Sequence, residues 1–480
     1  MGICYYKLNP IFALRSYSDM PFALIRYGEV WFAPISASFF TFLLRCDGVT
    51  PFDSEQMTEG EKDAADRCLN RQVILQSDTP DPIAPYQKYR SFDHTRKYIT
   101  QWSITNRCNL RCKHCFVMSM DAKKAYHEYT LPEIDHIIRQ LSAYGIETVM
   151  LTGGEPLLHP HFLDIVQKIL NAGMIVDWIN TNGMLLTEEM LDRLTAMGVK
   201  PKIAISFDGF GTHDWMRNCP GAEVKALRAI RLCGEKKAAL RVCINVNRKT
   251  LPRMVSTVRE MVKLGATEVF LLRTTEVPRW VSTLKEEPDL NLGLEDFIAL
   301  IPGTTKELLP EIRNGLLVKY FGIINVSKDL TPQSLTGTFR SDPKDCSAWC
   351  SKTHLGFFIS SDGFVIPCDG AEGAMRDNGL LTDEMNILHN DLGHILHSAS
   401  VDAFKMSCTA EDILQNAAQC RDCEYWSSCY GGKCRVCSML DGVRERGFYC
   451  DSDALRRDVG TCIFIRGGYR QQLADVLAEL

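Results

Sequence analysis

The sequence has no long hydrophobic run. Its longest apolar stretch, Trp31 to Leu44, is broken by Pro34, Ser36 and Ser38 and falls short of the roughly 20 apolar residues that span a bilayer. No membrane span is expected, and with no signal-like opening segment a cytoplasmic protein is expected. An excess of either charge is also missing: 54 Lys plus Arg stand against 59 Asp plus Glu, a net charge of −5, with no basic run. This balance fits neither a polybasic nucleic-acid binder nor a disordered acidic chain. No internal repeat or low-complexity tract is present. The 480 residues suggest roughly three domains at about 150 residues each. The 20 cysteines are too sparse for a disulfide scaffold, yet ten of them fall between Cys346 and Cys450. Reduced thiols bunched in this way point to metal or iron–sulfur ligation before disulfides.

The first stretch, residues 1–76, reads as a small unit of its own. Strand-like runs at Phe22 to Arg26 and Glu29 to Phe32 meet across Tyr27 and Gly28, and Phe39 to Arg45 reads as helical. Residues 77–97, with Pro80, Pro82 and Pro85, read as a linker. From Tyr98 strands alternate with helices. The strands are Tyr98 to Thr105, Thr148 to Thr152, Met174 to Ile179, Lys202 to Phe207, Arg241 to Val246 and Glu268 to Leu272. Amphipathic segments such as Leu131 to Ala143, Phe162 to Asn171 and Leu251 to Leu264 lie between them. Such alternation predicts an α/β fold with a parallel sheet closing into a partial (β/α)6 barrel over residues 98–330, its chemistry at the carboxyl ends of the strands. After Pro278 the periodicity weakens. Residues 331–480 form a Cys-rich region that ends in a helical segment, Tyr469 to Leu480.

Directly after the first strand, Cys108, Cys112 and Cys115 form CxxxCxxC. Three thiolates on one short loop hold three irons of a [4Fe–4S] cluster and leave the fourth without a protein ligand. Zinc is the alternative, although structural zinc takes four ligands and His114 sits awkwardly as the fourth. After the second strand comes LTGGEPLL. Gly153 and Gly154 allow close backbone approach to a ligand, and the Glu155 carboxylate suits an ammonium. A plain turn is the competing reading of that segment. Together the two motifs resemble the radical S-adenosylmethionine (SAM) superfamily over roughly Tyr98 to Glu276. The resemblance implies that SAM chelates the open iron and that the GGE segment holds its amino group. It extends to Thr181, Asn182 and Gly183 after the third strand, and to Ser206, Asp208, Gly209 and Arg217 after the fourth. It implies Ser206 near the ribose and Arg217 on the SAM carboxylate, for which a guanidinium fork is suited. The implied reaction is reductive cleavage of SAM to a 5′-deoxyadenosyl radical that removes a hydrogen atom from an unactivated carbon.

The later cysteines resemble the SPASM domain, an auxiliary-cluster module of radical SAM enzymes; a zinc ribbon is the reading from a CxxC alone. By position the resemblance implies one [4Fe–4S] cluster on Cys346, Cys350, Cys368 and Cys434, and another on Cys420, Cys423, Cys429 and Cys450. Four residues separate Cys429 from Cys434 where the family usually has three, and Cys437 is spare, so the choice between Cys434 and Cys437 stays open. Cys4, Cys46, Cys68, Cys233, Cys243, Cys408 and Cys462 read as structural, and Cys219 is ambiguous.

The amino-terminal unit, with RYGEVWFAP and FFTFLLRCDG, resembles a RiPP recognition element, the winged-helix domain that captures the leader of a ribosomally made, post-translationally modified peptide. A packing or dimerisation subdomain is the competing reading. The expected function is a peptide maturase forming Cys-to-carbon thioethers, with a precursor peptide and a flavodoxin- or ferredoxin-type electron donor as partners. Carbon–carbon crosslinking or epimerisation are variants of it. The rival is formylglycine formation of the sulfatase-maturase type, with Asp369, directly after Cys368, as general base or else as a turn former. A non-catalytic electron carrier would need none of the GGE, Ser206 or Arg217 features.

Overall fold

The structure, a computed structural model, describes residues 3–120, 127–200, 202–275, 277–320, 323–331, 355–367, 369, 372–377, 379–401 and 468–479. Its centre is a ten-stranded sheet. Six strands stand side by side in chain order: β8 (Ile99–Ser103), β9 (Thr148–Thr152), β10 (Ile175–Thr181), β11 (Lys202–Ser206), β12 (Ala239–Val246) and β13 (Glu268–Arg273). The pairings from β10 through β13 and on to β14 (Leu317–Tyr320) are parallel. These are the six strands expected from the sequence, in a sheet of the expected class.

Strand side chains alternate between faces, and the register shows how they divide. Ile179, Ile203, Val242, Val269 and Val318 share one face and are buried. The opposite face carries Asn180, Ser206, Arg241, Cys243, Asn245, Phe270 and Lys319, the polar interior of an open barrel. Between the strands lie α3 (Leu131–Tyr144), α4 (Phe162–Asn171), α5 (Glu188–Ala196), α6 (His213–Arg217), α7 (Ala222–Glu235) and α8 (Met254–Lys263). Their ends follow local chemistry. The Thr187 hydroxyl caps α5 by accepting from Met190 N–H, with Glu188 and Glu189 favourable in the first turn. Asp214 caps α7, accepting from Gly221 and Glu223 N–H at 2.7 and 2.6 Å.

Beyond Pro278, where the periodicity fades, the chain is nevertheless regular. It forms helices Pro278–Glu286, Leu294–Glu307 and Leu309–Arg313, then β14 and the antiparallel β15 (Ile324–Val326). Prolines explain the weak signal: Pro278 and Pro310 open helices, and Pro302 lies inside one. The terminal helix occupies Tyr469–Leu477.

The contacts divide the chain into two compact units, one of residues 1–100 with 135–149 and 167–175, the other of 101–134, 150–166 and 176–480. In the first, β1 (Ile3–Leu8) lies between β5 (Asp47–Asp53) and β6 (Ile74–Ser77), antiparallel to both. A second sheet has the order β4 (Phe32–Pro34), β3 (Met20–Arg26), β2 (Phe12–Tyr17), β7 (Arg90–Ser91). Helices α1 (Ala37–Arg45) and α2 (Glu59–Asn70) complete it, the latter opened by a Thr58–Glu61 capping box. Residues expected to pair at Glu29–Phe32 instead turn, and pairing resumes at Phe32. The cause is Gly28, whose φ of +79° and N–H bond to Glu147 extend the loop. The proline-containing stretch before the barrel is tied in as well: the buried Gln87 amide donates to the carbonyls of Leu8, Asn9 and Phe12.

Arg96 and Glu147 form a buried pair at 2.9 Å, their side chains 3% and 2% exposed. Removing one partner of such a pair strands a charge. Arg96→Ala is therefore expected to cost about 3–5 kcal/mol in urea unfolding. Arg26→Ala, which breaks an exposed pair with Glu29, is expected to cost under about 1 kcal/mol.

Candidate active site

The loop that follows β8 is held at its base by the tip of β9. Gly154 N–H donates to Thr105 C=O at 2.8 Å, and Glu155 N–H to Arg107 C=O at 2.7 Å. A Cβ on Gly153 would stand 2.5 Å from the Thr105 oxygen, and one on Gly154 2.2 Å from that of Arg107. The close approach that the glycines permit is thus to the chain's own cysteine loop.

On that loop Cys112 is buried, while Cys108 and Cys115 are half-buried. Each sulfur already faces a donor. Leu110 N–H lies 3.4 Å from Cys108 Sγ, Ser119 N–H 3.4 Å from Cys115 Sγ, and Arg217 Nη1 3.7 Å from Cys112 Sγ. Donors aimed at sulfur stabilise thiolate ligands of iron–sulfur clusters. Burial pushes the Cys108 thiol up to about 12 and raises that of Cys112, so iron must displace protons to bind. Among the described residues no three His, Cys, Asp or Glu side chains converge on one metal-ion position. A cubane cluster asks for no such convergence, because each thiolate binds a different iron.

Glu155 is fully buried and occupied by the chain. It accepts from Thr181 Oγ1 at 2.8 Å, Asn182 N–H at 2.8 Å and Leu157 N–H at 3.1 Å. Burial raises its carboxyl to about 7, against the pull of those donors. Asn182 in turn donates through Nδ2 to Asn109 Oδ1 at 2.7 Å, which returns the network to the cysteine loop.

Ser206 ends β11 on the barrel interior, level with Cys243 of β12. Two residues on, the fully buried Asp208 forms an ion pair through Oδ2 with Arg217 Nε at 2.7 Å and accepts from Asn245 N–H at 3.1 Å. Burial would raise its carboxyl, but Arg217 and His213 hold it well below the ordinary range. Arg217, itself buried, is held above its usual value by Asp208 and Cys112 in spite of desolvation. Its Nη2 is buried with no hydrogen-bond partner, as is Nδ1 of His114. Burial and the nearby Arg217 push His114 down to about 3, so it is neutral. Two orphaned polar atoms beside the cysteine loop fit an iron–sulfur cluster with an anionic ligand on the open iron.

Asp369 is half-buried and lies just beyond the hairpin β16 (Gly356–Ile359) and β17 (Val365–Ile366). Tyr129 Oη anchors that hairpin by donating to Ser360 C=O at 2.6 Å. The auxiliary set Cys346, Cys350, Cys368, Cys420, Cys423, Cys429, Cys434, Cys437 and Cys450 lies outside the described residues. Cys243, read from the sequence as structural, is half-buried on the interior face, where the alternation of β12 puts it. Asn109, which the sequence reading does not single out, also joins the site through Asn182.

A barrel of consecutive parallel strands with a three-thiol loop after the first defines a class of SAM-cleaving enzymes. Residues 102–247 match the Radical SAM superfamily model: the chain carries a radical SAM domain, and it is an enzyme. The superfamily implies a [4Fe–4S] cluster and SAM. The chain is 28% identical over 356 residues to an AdoMet-dependent heme synthase of Methanosarcina barkeri, covering 73% of this chain and 95% of that one. It is 24% identical over 266 residues to the sporulation killing factor maturation protein SkfB of Bacillus subtilis, 55% of this chain and 58% of that one. Among solved structures, Streptococcus suis SuiB bound to precursor peptide SuiA superposes with a TM-score of 0.66 at 14% identity, covering 94% of this chain and 100% of that one. That likeness is one of fold.

Gly154→Ala sets a Cβ against backbone that cannot yield. The variant is expected to lose the first cluster's iron after reconstitution. Gly303→Ala, with open space around it in a helix, is expected to add about 0.5–1 kcal/mol of stability. Glu155 gives a pH signature. Its folded carboxyl at about 7 lies above the ordinary 4.5, so its contribution to stability is full below about pH 4.5 and falls by about 3 kcal/mol as pH rises to about 7. Glu155→Gln is expected to flatten that fall in urea titrations of the chain compared between pH 5 and 8.

Proposed function

We propose that the chain is a radical SAM maturase of a ribosomally made peptide, forming thioether bonds between a cysteine sulfur and a carbon. The observation that carries this reading is a groove of about 1060 Å³ in the amino-terminal unit. One wall is β3 and β4 with Leu24 and Trp31. The other is the face of α2 that carries Ala64 and Arg67, with Arg71 just beyond its end. β4 is the outer strand of its sheet, and beside the groove Trp31 and Phe32 are 41% and 45% exposed. An extended leader segment added at such an edge gains main-chain hydrogen bonds and side-chain pockets together. The two arginines favour acidic residues in that segment. SkfB is described as a maturation protein and SuiB was crystallised with a precursor peptide, which supports the same substrate class.

In this reading residues 1–76 bind the leader, 77–97 connect, 98–330 carry the barrel and 331–480 hold two auxiliary clusters. The cysteine loop holds the first cluster, which together with SAM supplies hydrogen-atom abstraction. Arg217 and the GGE segment fix the surroundings, and Ser206 faces the reaction space. Asp369 belongs to the rival formylglycine reading, in which it is the general base. A flavodoxin- or ferredoxin-type protein delivers electrons. The likeness to a heme synthase over 95% of that protein favours a second reading, chemistry on a tetrapyrrole. The groove supports the peptide reading, because a tetrapyrrole has no leader.

Reconstituted Cys112→Ala is expected to make no 5′-deoxyadenosine while keeping the iron of the auxiliary clusters. Unchanged SAM cleavage would contradict the site. Arg67→Glu with Arg71→Glu, both on exposed positions, is expected to leave uncoupled SAM cleavage intact. The same double variant is expected to slow modification of a full precursor, seen as loss of two hydrogens per crosslink, by roughly tenfold for each 1.4 kcal/mol of lost binding. Equal modification by both proteins would reject the groove as leader site.

A further inference from the structure

Arg217 is fixed from three sides. It is the last residue of α6, and Met216 C=O beside it accepts from Lys113 N–H of the cysteine loop at 3.0 Å. Its Nε edge is taken by Asp208 at 2.7 Å. Asp208 has little freedom of its own. Its second oxygen accepts from Asn245 N–H of β12, its N–H donates to His213 Nδ1 at 3.0 Å, and its C=O accepts from Thr212 Oγ1 at 2.7 Å. With Nε occupied, the planar guanidinium presents Nη1 to Cys112 Sγ at 3.7 Å. A cation and a donor at a ligating sulfur favour the more negative, reduced state of a cluster.

We infer that Asp208 is a positioning residue that aims the Arg217 guanidinium at the Cys112 sulfur, and that this contact raises the reduction potential of the SAM-binding cluster. The inference rests on the reading that Cys108, Cys112 and Cys115 hold that cluster. It concerns a one-electron couple in which the cluster gains an electron from an external reductant such as dithionite and no bond is made or broken. Arg217 thereby acts on the ease of electron entry in addition to any contact with SAM.

The test is a potentiometric titration of the full, anaerobically reconstituted chain without SAM, followed by electron paramagnetic resonance. The relevant signal is the one missing from Cys112→Ala. If that variant loses no signal, the cluster assignment itself is wrong. Arg217→Gln is expected to disfavour reduction about tenfold, a shift of about 59 mV to more negative potential. An unchanged or higher potential overturns the inference. Asp208→Ala discriminates further. Loss of a buried anion alone would raise the potential, whereas loss of the aim lowers it, so a rise overturns the positioning role. Should Asp208→Ala retain no iron, Arg217→Lys decides: it keeps the charge without the fork, a lowered potential is expected, and a wild-type value overturns the inference.

Discussion

Two backbone hydrogen bonds set the geometry of this protein's chemistry. Gly154 and Glu155 give their N–H groups to carbonyls two residues apart on the cysteine loop, at a separation that admits no Cβ on either glycine. The loop that carries three thiols therefore cannot move independently of the second strand. Glu155 passes the constraint to the third strand through Thr181 and Asn182, and Asn182 returns it to the loop at Asn109. The result is a closed ring of contacts around the mouth of the barrel. Such pre-organisation suits a site in which a cofactor must be held while its bond breaks.

The charges follow the same logic. Asp208 and Arg217 are both buried, and either alone would be costly. Together they set a guanidinium beside the most buried of the three thiols. His114, neutral and buried, fills the space next to them. The GGE carboxylate accepts from the chain's own donors on Leu157, Thr181 and Asn182.

Much of this was legible from residues alone, for physical reasons. The six barrel strands announce themselves by short apolar runs between amphipathic helices, and Thr148–Thr152 coincides with its expected limits. The cysteine, GGE and Asp208–Arg217 motifs stand at strand ends because that is where loops converge. What escaped the sequence depends on register or on long-range contact. Cys243 looks like any core cysteine until pairing with Ser206 turns it inward. Glu147 lies far from Gly28 in sequence, so nothing local shows that it reshapes the hairpin there. The regular elements after Pro278 were hidden because prolines at helix starts interrupt the periodic pattern they begin.

The central claim is that the iron left without a thiolate by Cys108, Cys112 and Cys115 is where SAM binds. The most direct measurement is the electron paramagnetic resonance spectrum of the dithionite-reduced, fully reconstituted protein before and after SAM is added. The account predicts that one cluster signal changes its g-values on addition while the others stay as they were. A spectrum identical in every component would contradict it.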